Sequence, residues 1–131
     1  GLKTRDALAD PAATRRYLSA WLRDRDREVF AALFLDSQHR VLAAEELSQG
    51  TLDAASVYPR EVVKRALALG AAAVIFAHNH PSGDPTPSRD DQHLTRRLVD
   101  AGRILGITVA DHVIVGEGRW FSFHDAGLLP S

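Results

Sequence analysis

The segment from His78 to Asp91 constrains this chain more than any other part of it. It reads His-Asn-His-Pro-Ser-Gly-Asp-Pro-Thr-Pro-Ser-Arg-Asp-Asp and follows an apolar run, residues 71–77, that is typical of a buried strand. Ser88 begins an S-x-x-D capping-box pattern, which predicts the start of a helix. The segment therefore predicts a strand end and a helix start, joined by a loop that its prolines stiffen.

Two histidines and one aspartate of this segment form a candidate metal site. Side chains at positions i and i+2 of an extended segment point to the same side, so His78 and His80 can bind one ion. Asp91 can return to them from the first turn of the following helix. Two imidazoles and one carboxylate would leave a fourth zinc position for water, as catalytic zinc sites do. The alternative is that Ser88 and Asp91 only cap the helix and that both histidines are structural.

Composition excludes several classes of protein. A chain of 131 residues, 45% hydrophobic and 25% charged, is typical of one soluble globular domain. No apolar run approaches the roughly 20 residues that cross a bilayer, and no signal peptide begins the chain, so we expect a cytoplasmic protein without membrane contact. The absence of cysteine excludes disulfides, thiolate nucleophiles and cysteine-based zinc sites, including those of the zinc nucleobase deaminases.

The net charge and the start of the chain lead to two further expectations. A net charge of −1 lacks the basic excess of a dedicated nucleic-acid binder, so we expect weak or no direct DNA binding by this domain. The chain contains no methionine, so we expect that residue 1 is not an initiator and that the chain is a fragment of a longer protein, with a processed protein as the alternative. We assign residues 1–10 to an N-terminal extension and residues 11–131 to the domain itself.

Periodicity and turn residues predict the element order α-β-β-α-β-α-β-β. An irregular segment is expected between Gly50 and Tyr58. The order predicts a single α/β domain in which helices flank a mixed β-sheet. The expected elements are a helix from Pro11 to about Arg25, strands 28–36 and 41–47, a helix from Pro59 to Gly70, a strand 71–77, a helix 88–105, and a hairpin of strands 107–115 and 120–123.

These residues resemble the RadC branch of the JAB/MPN superfamily, whose metal-binding signature is called the JAMM motif. That motif is an upstream Glu followed by H-x-H, seven residues, S, two residues and D. His78, His80, Ser88 and Asp91 match every spacing, and the resemblance extends over nearly the whole chain from about Pro11. Details that are similar to RadC proteins are Asn79, Pro81-Ser82-Gly83, Gln49-Gly50-Thr51, Pro59-Arg60-Glu61 and Asp111-His112.

The resemblance implies a fold, a cofactor and an activity. The implied fold is the MPN/JAB-like arrangement of three layers, similar to that of the cytidine deaminases. The implied cofactor is Zn²⁺, and the implied activity is that of a metallopeptidase or isopeptidase that hydrolyses an amide bond in an unknown protein or peptide substrate. RadC proteins often carry an N-terminal helix-hairpin-helix segment, which these residues do not include. We keep a homodimer as a candidate assembly.

By the same resemblance Glu28 is the general base, and it would exchange protons with the zinc-bound water without binding zinc itself. The residues alone also allow Glu28 to be an ordinary charged residue at the end of a helix rich in Arg and Asp. Glu45 and Glu46 are rival candidates for the base, ranked lower because the family Glu precedes an apolar strand. Ser88 is the second candidate catalytic residue, since its hydroxyl could donate to the oxyanion of a tetrahedral intermediate or simply cap the helix.

Weaker expectations concern substrate binding and the remaining histidines. Asn79 and Ser82 are candidate substrate-binding residues, although Asn79 could instead shape the turn. Deubiquitinating relatives carry Ser or Thr at the position of Asn79, so peptidase activity does not follow from zinc ligation alone. We expect His112 to be a structural or supporting residue rather than a ligand. The histidines expected to be exposed are His39, His93 and His124.

Two other functional classes stay open on the sequence. One is a noncatalytic protein-interaction or DNA-metabolism module in repair or recombination, as the family's older label of DNA repair protein implies. The other is a metal-dependent nuclease, because nothing in the spacing distinguishes a scissile amide from a phosphodiester. The intact ligand set favours an enzyme over a noncatalytic module, since scaffold members of the superfamily typically lose these ligands.

Overall fold

The computed structural model describes residues 10–50 and 57–130 of the chain. The element order within these ranges is the one that the sequence predicts. The predicted irregular segment falls largely outside the described residues, as does all but the last residue of the predicted N-terminal extension. The elements are α1 Pro11–Leu22, β1 Glu28–Leu35, β2 Val41–Gly50, α2 Pro59–Leu69, β3 Ala73–Asn79, α3 Arg89–Arg103, β4 Thr108–Val115 and β5 Trp120–Ser122.

The five strands form one mixed sheet in the order β2-β1-β3-β4-β5. β3 and β4 are parallel, and the other neighbouring pairs are antiparallel. The crossover between the two parallel strands is α3, which lets β3 and β4 run in the same direction side by side. The pairing places Phe30 of β1 opposite His78 of β3, and Phe76 of β3 opposite His112 of β4. Histidines that are distant in sequence therefore meet on one face of the sheet.

Both faces of the sheet are covered by helices, which gives the predicted three layers. On one face Leu18 and Leu22 of α1 pack on alternate residues of β1, such as Leu33. On the other face Phe30 and the other intervening residues of β1 pack against α2 and α3. Because β1 is covered on both sides, it reads as an almost continuous apolar run instead of an alternating one. The expectation of a single α/β domain with a mixed sheet between helices is confirmed.

Some boundaries differ from the predictions for local reasons. α1 ends at Leu22 instead of near Arg25, because Arg23 is extended and Asp24 has a φ of 61°, which turns the chain towards β1. β3 begins at Ala73, since Gly70 ends α2 in the left-handed conformation. α3 ends at Arg103, two residues before the predicted end. Among the described residues, no helix has the length and apolar character needed to cross a membrane.

Candidate metal centre

Three potential ligands converge where β3 ends and α3 begins. His78 lies on β3, His80 is one residue beyond the strand, and Asp91 is in the first turn of α3. The Nε2 atoms of the two histidines are 3.0 Å apart. The Asp91 Oδ1 atom is 3.2 Å from His78 Nε2, and its Oδ2 atom is 3.2 Å from His80 Nε2. These three side chains form the group of potential metal ligands that the sequence predicts.

The spacing of these atoms fits a zinc ion. Zinc binds imidazole nitrogen and carboxylate oxygen at roughly 2.0–2.2 Å, so neighbouring ligands of a tetrahedral ion lie about 3.3 Å apart. The observed separations of 3.0–3.2 Å are close to that value. Two imidazoles and one carboxylate are also the donor types that suit zinc, whereas calcium and magnesium prefer all-oxygen sites.

One side of the site is buried and the other is open. The His78 side chain is 1% exposed, whereas the His80 and Asp91 side chains are 15% and 13% exposed. The hydrogen bond with Asp91 raises the pKa of His80, and the Asp84 carbonyl and the charge of Glu28 add to this effect against the opposing effect of burial. Burial alone would raise the pKa of Asp91, but hydrogen bonds from the two histidines outweigh it and hold that pKa well below its ordinary value. The site therefore strongly favours a carboxylate at position 91.

A capping box aims Asp91 at the histidines. The Ser88 hydroxyl accepts the Asp91 backbone N–H at 3.0 Å, and the Ser88 N–H donates to Asp91 Oδ2 at 2.7 Å. The predicted cap is confirmed as a structural feature. The same bonds hold the carboxylate with both oxygens directed towards the imidazoles, so capping and metal ligation are compatible roles. The role of Ser88 in stabilising an oxyanion stays a prediction.

Backbone contacts with the β4–β5 turn hold the loop that carries His80. The His80 N–H donates to the Val115 carbonyl at 2.9 Å, and the Glu117 N–H donates to the Gly83 carbonyl at 2.9 Å. The His80 Nδ1 atom lies 2.9 Å from the Asp84 carbonyl, which can only accept, so Nδ1 carries the hydrogen. Nε2 is consequently the nitrogen that faces the other ligands, as metal binding requires.

Two buried residues that are not ligands lie behind His78. The Nε2 atom of His112 is 2.8 Å from His78 Nδ1, and its Nδ1 atom is 2.6 Å from the Thr95 hydroxyl. His112 is fully buried, and burial together with the neighbouring His78 holds its pKa well below the ordinary value. It is not part of the ligand group. Thr95 is not among the residues predicted from the sequence, and its only local signal is its position four residues after Asp91.

Glu28 lies at the open side of the site, at the first position of β1. It faces the same side of the sheet as Phe30, because alternate residues of a strand share a face. Phe30 pairs with His78 in the antiparallel pairing of β1 and β3. Continuing this register by two residues, back along β1 and forward past the end of β3, brings Glu28 beside His80. This proximity explains why the Glu28 charge contributes to the raised pKa of His80.

The Asn79 side chain holds the backbone on either side of Glu28. Its Oδ1 atom accepts the Val29 N–H at 2.7 Å, and its Nδ2 atom donates to the Arg27 carbonyl at 3.0 Å. Asn79 is 3% exposed. This geometry favours the shaping role over substrate binding, which stays a prediction. Ser82 is exposed on the loop, where its hydroxyl accepts the Asp84 N–H at 3.3 Å.

The rival glutamates have other partners. Glu45 forms hydrogen bonds of 2.9 and 3.0 Å with Arg65 Nε, and this pairing lowers the pKa of Glu45. Glu46 lies 3.3 Å from Arg25. Both glutamates are in the middle of β2, and β2 is separated from β3 by β1. Their positions favour Glu28 as the general base. The histidines of the sequence that lie exposed and outside the ligand group are His39, His93 and His124.

A cleft of about 390 Å³ opens beside His80. Its walls include Arg23 and Arg25 after α1 on one side and the Gly116–Gly118 turn on the other. Charged and backbone polar groups line this cleft together with Pro81. Of the three potential ligands only His80 lines this cleft, so a molecule bound there would lie beside that histidine.

A three-layer α/β domain with a His-His-Asp group where the third strand ends, and a glutamate at the start of the first, defines the class of JAB domains. Members of this superfamily include metalloproteases. The family model of the RadC-like JAB domain matches residues 8–128, and the chain belongs to this family. The resemblance read from the sequence is thereby confirmed.

Curated relatives support the same assignment. A UPF0758 protein of Nitrosococcus oceani is 59% identical over 128 residues, which cover 98% of this chain and 57% of the relative. The UPF0758 protein VP0184 of Vibrio parahaemolyticus is 58% identical over the same shares. The UPF0758 protein Tgr7_0100 of Thioalkalivibrio sulfidiphilus is 60% identical over 95% of this chain and 55% of its own length. The chain thus spans little more than half of these relatives, and their names state no activity.

Proposed function

We propose that this domain is a zinc-dependent metallopeptidase or isopeptidase that hydrolyses an amide bond in a protein or peptide. The observation that carries this proposal is the convergence of His78, His80 and Asp91, with Glu28 beside the open side of the group. His78, His80 and Asp91 would hold the zinc ion. Iron, cobalt or nickel could replace zinc at such a donor set.

When bound, zinc supplies a Lewis acid and a water molecule whose pKa falls to about 7. Glu28 would accept a proton from the attacking water and deliver it to the leaving amine, since it is close enough to His80 for its charge to raise the pKa of that ligand. Ser88 Oγ accepts the Asp91 N–H and keeps its own hydrogen for donation to an oxyanion. Asn79 fixes the backbone around Glu28 and thereby the position of the base.

The test compares Glu28→Gln with Glu45→Gln. The first substitution keeps the shape of the side chain but removes its ability to accept a proton. The second is the matched control, because Glu45 is also a strand glutamate but has its arginine partner, Arg65, on α2 and outside the cleft beside His80. Metal content, melting temperature and cleavage of a panel of peptides, isopeptides and nucleic acids would be measured for both variants and the wild type.

We expect Glu28→Gln to fold and retain zinc while its hydrolytic rate falls by about 10²–10⁴-fold, as is typical when a positioned acid–base group is removed. Glu45→Gln should cleave at the wild-type rate. Loss of zinc from Glu28→Gln would contradict the assignment, since it would make Glu28 a ligand. Cleavage of nucleic acids alone would identify a nuclease, and a zinc-loaded protein that cleaves nothing in the panel would favour the noncatalytic module.

A further inference from the structure

We propose that Thr95 and His112 are positioning residues that fix the tautomer of His78 and thereby set the affinity of the site for its metal. The inference extends the proposed function, on whose metal centre it rests. It depends on a buried chain of hydrogen bonds that begins at the backbone of one ligand, Asp91, and ends at the ring of another, His78.

The direction of the chain follows from its first bond. The Thr95 hydroxyl lies 2.8 Å from the Asp91 backbone carbonyl, which can only accept. The single hydroxyl hydrogen of Thr95 is therefore donated to that carbonyl. Thr95 Oγ1 is also 2.6 Å from His112 Nδ1. With its hydrogen already committed, Thr95 can only accept from this nitrogen, so His112 carries its hydrogen on Nδ1.

The second ring continues the same direction. A neutral imidazole with a hydrogen on Nδ1 has a lone pair on Nε2. His112 Nε2 lies 2.8 Å from His78 Nδ1, so the hydrogen of that bond belongs to His78. His78 therefore donates from Nδ1 to His112, and its other nitrogen, Nε2, is the atom that lies 3.2 Å from Asp91 and 3.0 Å from His80. The chain thus presents the correct nitrogen of His78 to the metal.

The packing around His112 restricts rotation of its ring and so preserves the chain of hydrogen bonds. Its ring stacks on Phe123 with centroids 4.8 Å apart and meets the edge of Phe30 at 5.5 Å. These contacts also give His112 an ordinary role in the core, which a stability measurement alone could not separate from positioning. The test therefore has to report on tautomers and on metal affinity.

The first measurement is the tautomeric state of both rings in the metal-free protein, from long-range ¹H–¹⁵N NMR spectra of the imidazoles. We expect a hydrogen on Nδ1 of His112 and on Nδ1 of His78 near neutral pH. The unusual feature is that His112 lacks the hydrogen on Nε2, the nitrogen that the neutral imidazole of free histidine prefers to protonate. A hydrogen on Nε2 of His112 would overturn the proposal. This measurement needs neither a metal nor a substrate, so it decides the inference even if the proposed function fails.

The second measurement is the affinity for Zn²⁺ and Co²⁺, by chelator competition, in three threonine variants. Thr95→Val keeps the shape and removes the hydroxyl, whereas Thr95→Ser keeps the hydroxyl. Thr14→Val is the matched control, because Thr14 is another buried helical threonine whose hydroxyl donates to the carbonyl four residues earlier. We expect Thr95→Val to bind metal about 10–100-fold more weakly, as removal of a group that orients a ligand typically does.

Thr95→Ser and Thr14→Val should bind metal as the wild type does, and the Co²⁺ absorption spectrum of Thr95→Val should change. If Thr95→Val lowers the melting temperature but leaves the affinity and the spectrum unchanged, Thr95 is merely structural and the proposal is overturned. Equal loss of affinity in Thr95→Val and Thr14→Val would overturn it as well, because the effect would then come from general destabilisation.

Discussion

The inner and outer halves of the candidate metal centre are held in place by different means. The inner half consists of His78 and Asp91 with His112 and Thr95 behind them, and its polar contacts run through the buried face of the sheet. The outer half is His80 with its loop, to which we add Glu28 and Asn79. Its ligand is held by backbone carbonyls of Val115 and Asp84 and is partly open to solvent.

This difference indicates that the two halves of the site contribute to different properties of the protein. Ligands of the inner half are coupled to the core, so their orientation depends on the same packing that stabilises the fold. The outer half contains the most exposed ligand, His80, and the proposed base, Glu28, and its geometry depends on turns and on the Asn79 side chain. Substitutions in the inner half should therefore change stability and metal affinity together, whereas replacing the outer-half side chains His80 and Asn79 should change one of these properties much more than the other.

Removing each histidine ligand tests this division most strongly. Both His78→Ala and His80→Ala should lose stoichiometric zinc on elemental analysis. In the metal-free state His78→Ala should also lose about 2–5 kcal/mol of unfolding free energy, because it leaves a cavity and a buried His112 nitrogen without a donor. His80→Ala should lose only about 1 kcal/mol. Equal stability losses in denaturant titrations of the two variants would contradict the distinction.

Asn79→Ala should separate activity from metal binding. The substitution leaves the Val29 N–H and the Arg27 carbonyl without their partner, at a cost of about 1–3 kcal/mol in unfolding free energy. Because the base is then free to shift by about 1 Å, hydrolysis should fall by roughly 10²-fold while zinc content stays at the wild-type level. Unchanged hydrolysis at reduced stability would show that Asn79 supports the fold without positioning Glu28.

Gly116→Ala should lower both the stability and the zinc affinity of the protein, because it displaces the loop that carries His80. A Cβ atom at this position would lie 2.4 Å from the Gly83 carbonyl oxygen and 2.9 Å from Pro85 Cδ, so the two turns would have to separate. Overpacking of this kind costs about 1–3 kcal/mol, and here it should also lower zinc affinity because His80 belongs to the displaced loop. Gly70→Ala is the control, since it strains a left-handed residue with open space around it. An equal fall in zinc affinity in both variants would contradict this account of the loop.

Ser88→Ala should have the smallest effect. It removes the hydroxyl that caps α3, for a loss of about 1 kcal/mol in unfolding free energy. The bond from the Ser88 backbone N–H to Asp91 remains, so zinc should still bind. A fall in the hydrolytic rate that the loss of stability does not explain would indicate the predicted oxyanion contact. Loss of zinc from this variant would show that the Ser88 hydroxyl, and not only the Ser88 backbone N–H, is required to direct the Asp91 carboxylate towards the histidines.

The ligand set could be predicted from sequence because its signals are local. The apolar run before His78 predicts the strand, the S-x-x-D pattern predicts the helix start, and the loop between them is short. The capping box makes the position of Asp91 depend on backbone geometry within one turn of helix. The order of the elements was predictable for the same reason, since each element has its own periodicity and turn residues.

The supporting contacts could not be predicted because they depend on strand register. His112 meets His78 only because β3 and β4 pair in parallel with the observed register, and Asn79 reaches the start of β1 only through the antiparallel pairing of β1 and β3. No local pattern in the sequence encodes these pairings. The role of Thr95 could not be predicted either, because its partner His112 belongs to another element.

The most direct test of the metal centre is a crystal structure of the zinc-loaded protein, with anomalous scattering measured on both sides of the zinc absorption edge. The account predicts one zinc peak per chain, bound by Nε2 of His78, Nε2 of His80 and the carboxylate of Asp91 at roughly 2.0–2.2 Å. The Glu28 carboxylate should lie beside the ion without binding it. A protein that crystallises without zinc at this position after exposure to the metal, or an ion bound by Glu28 in place of Asp91, would contradict the account.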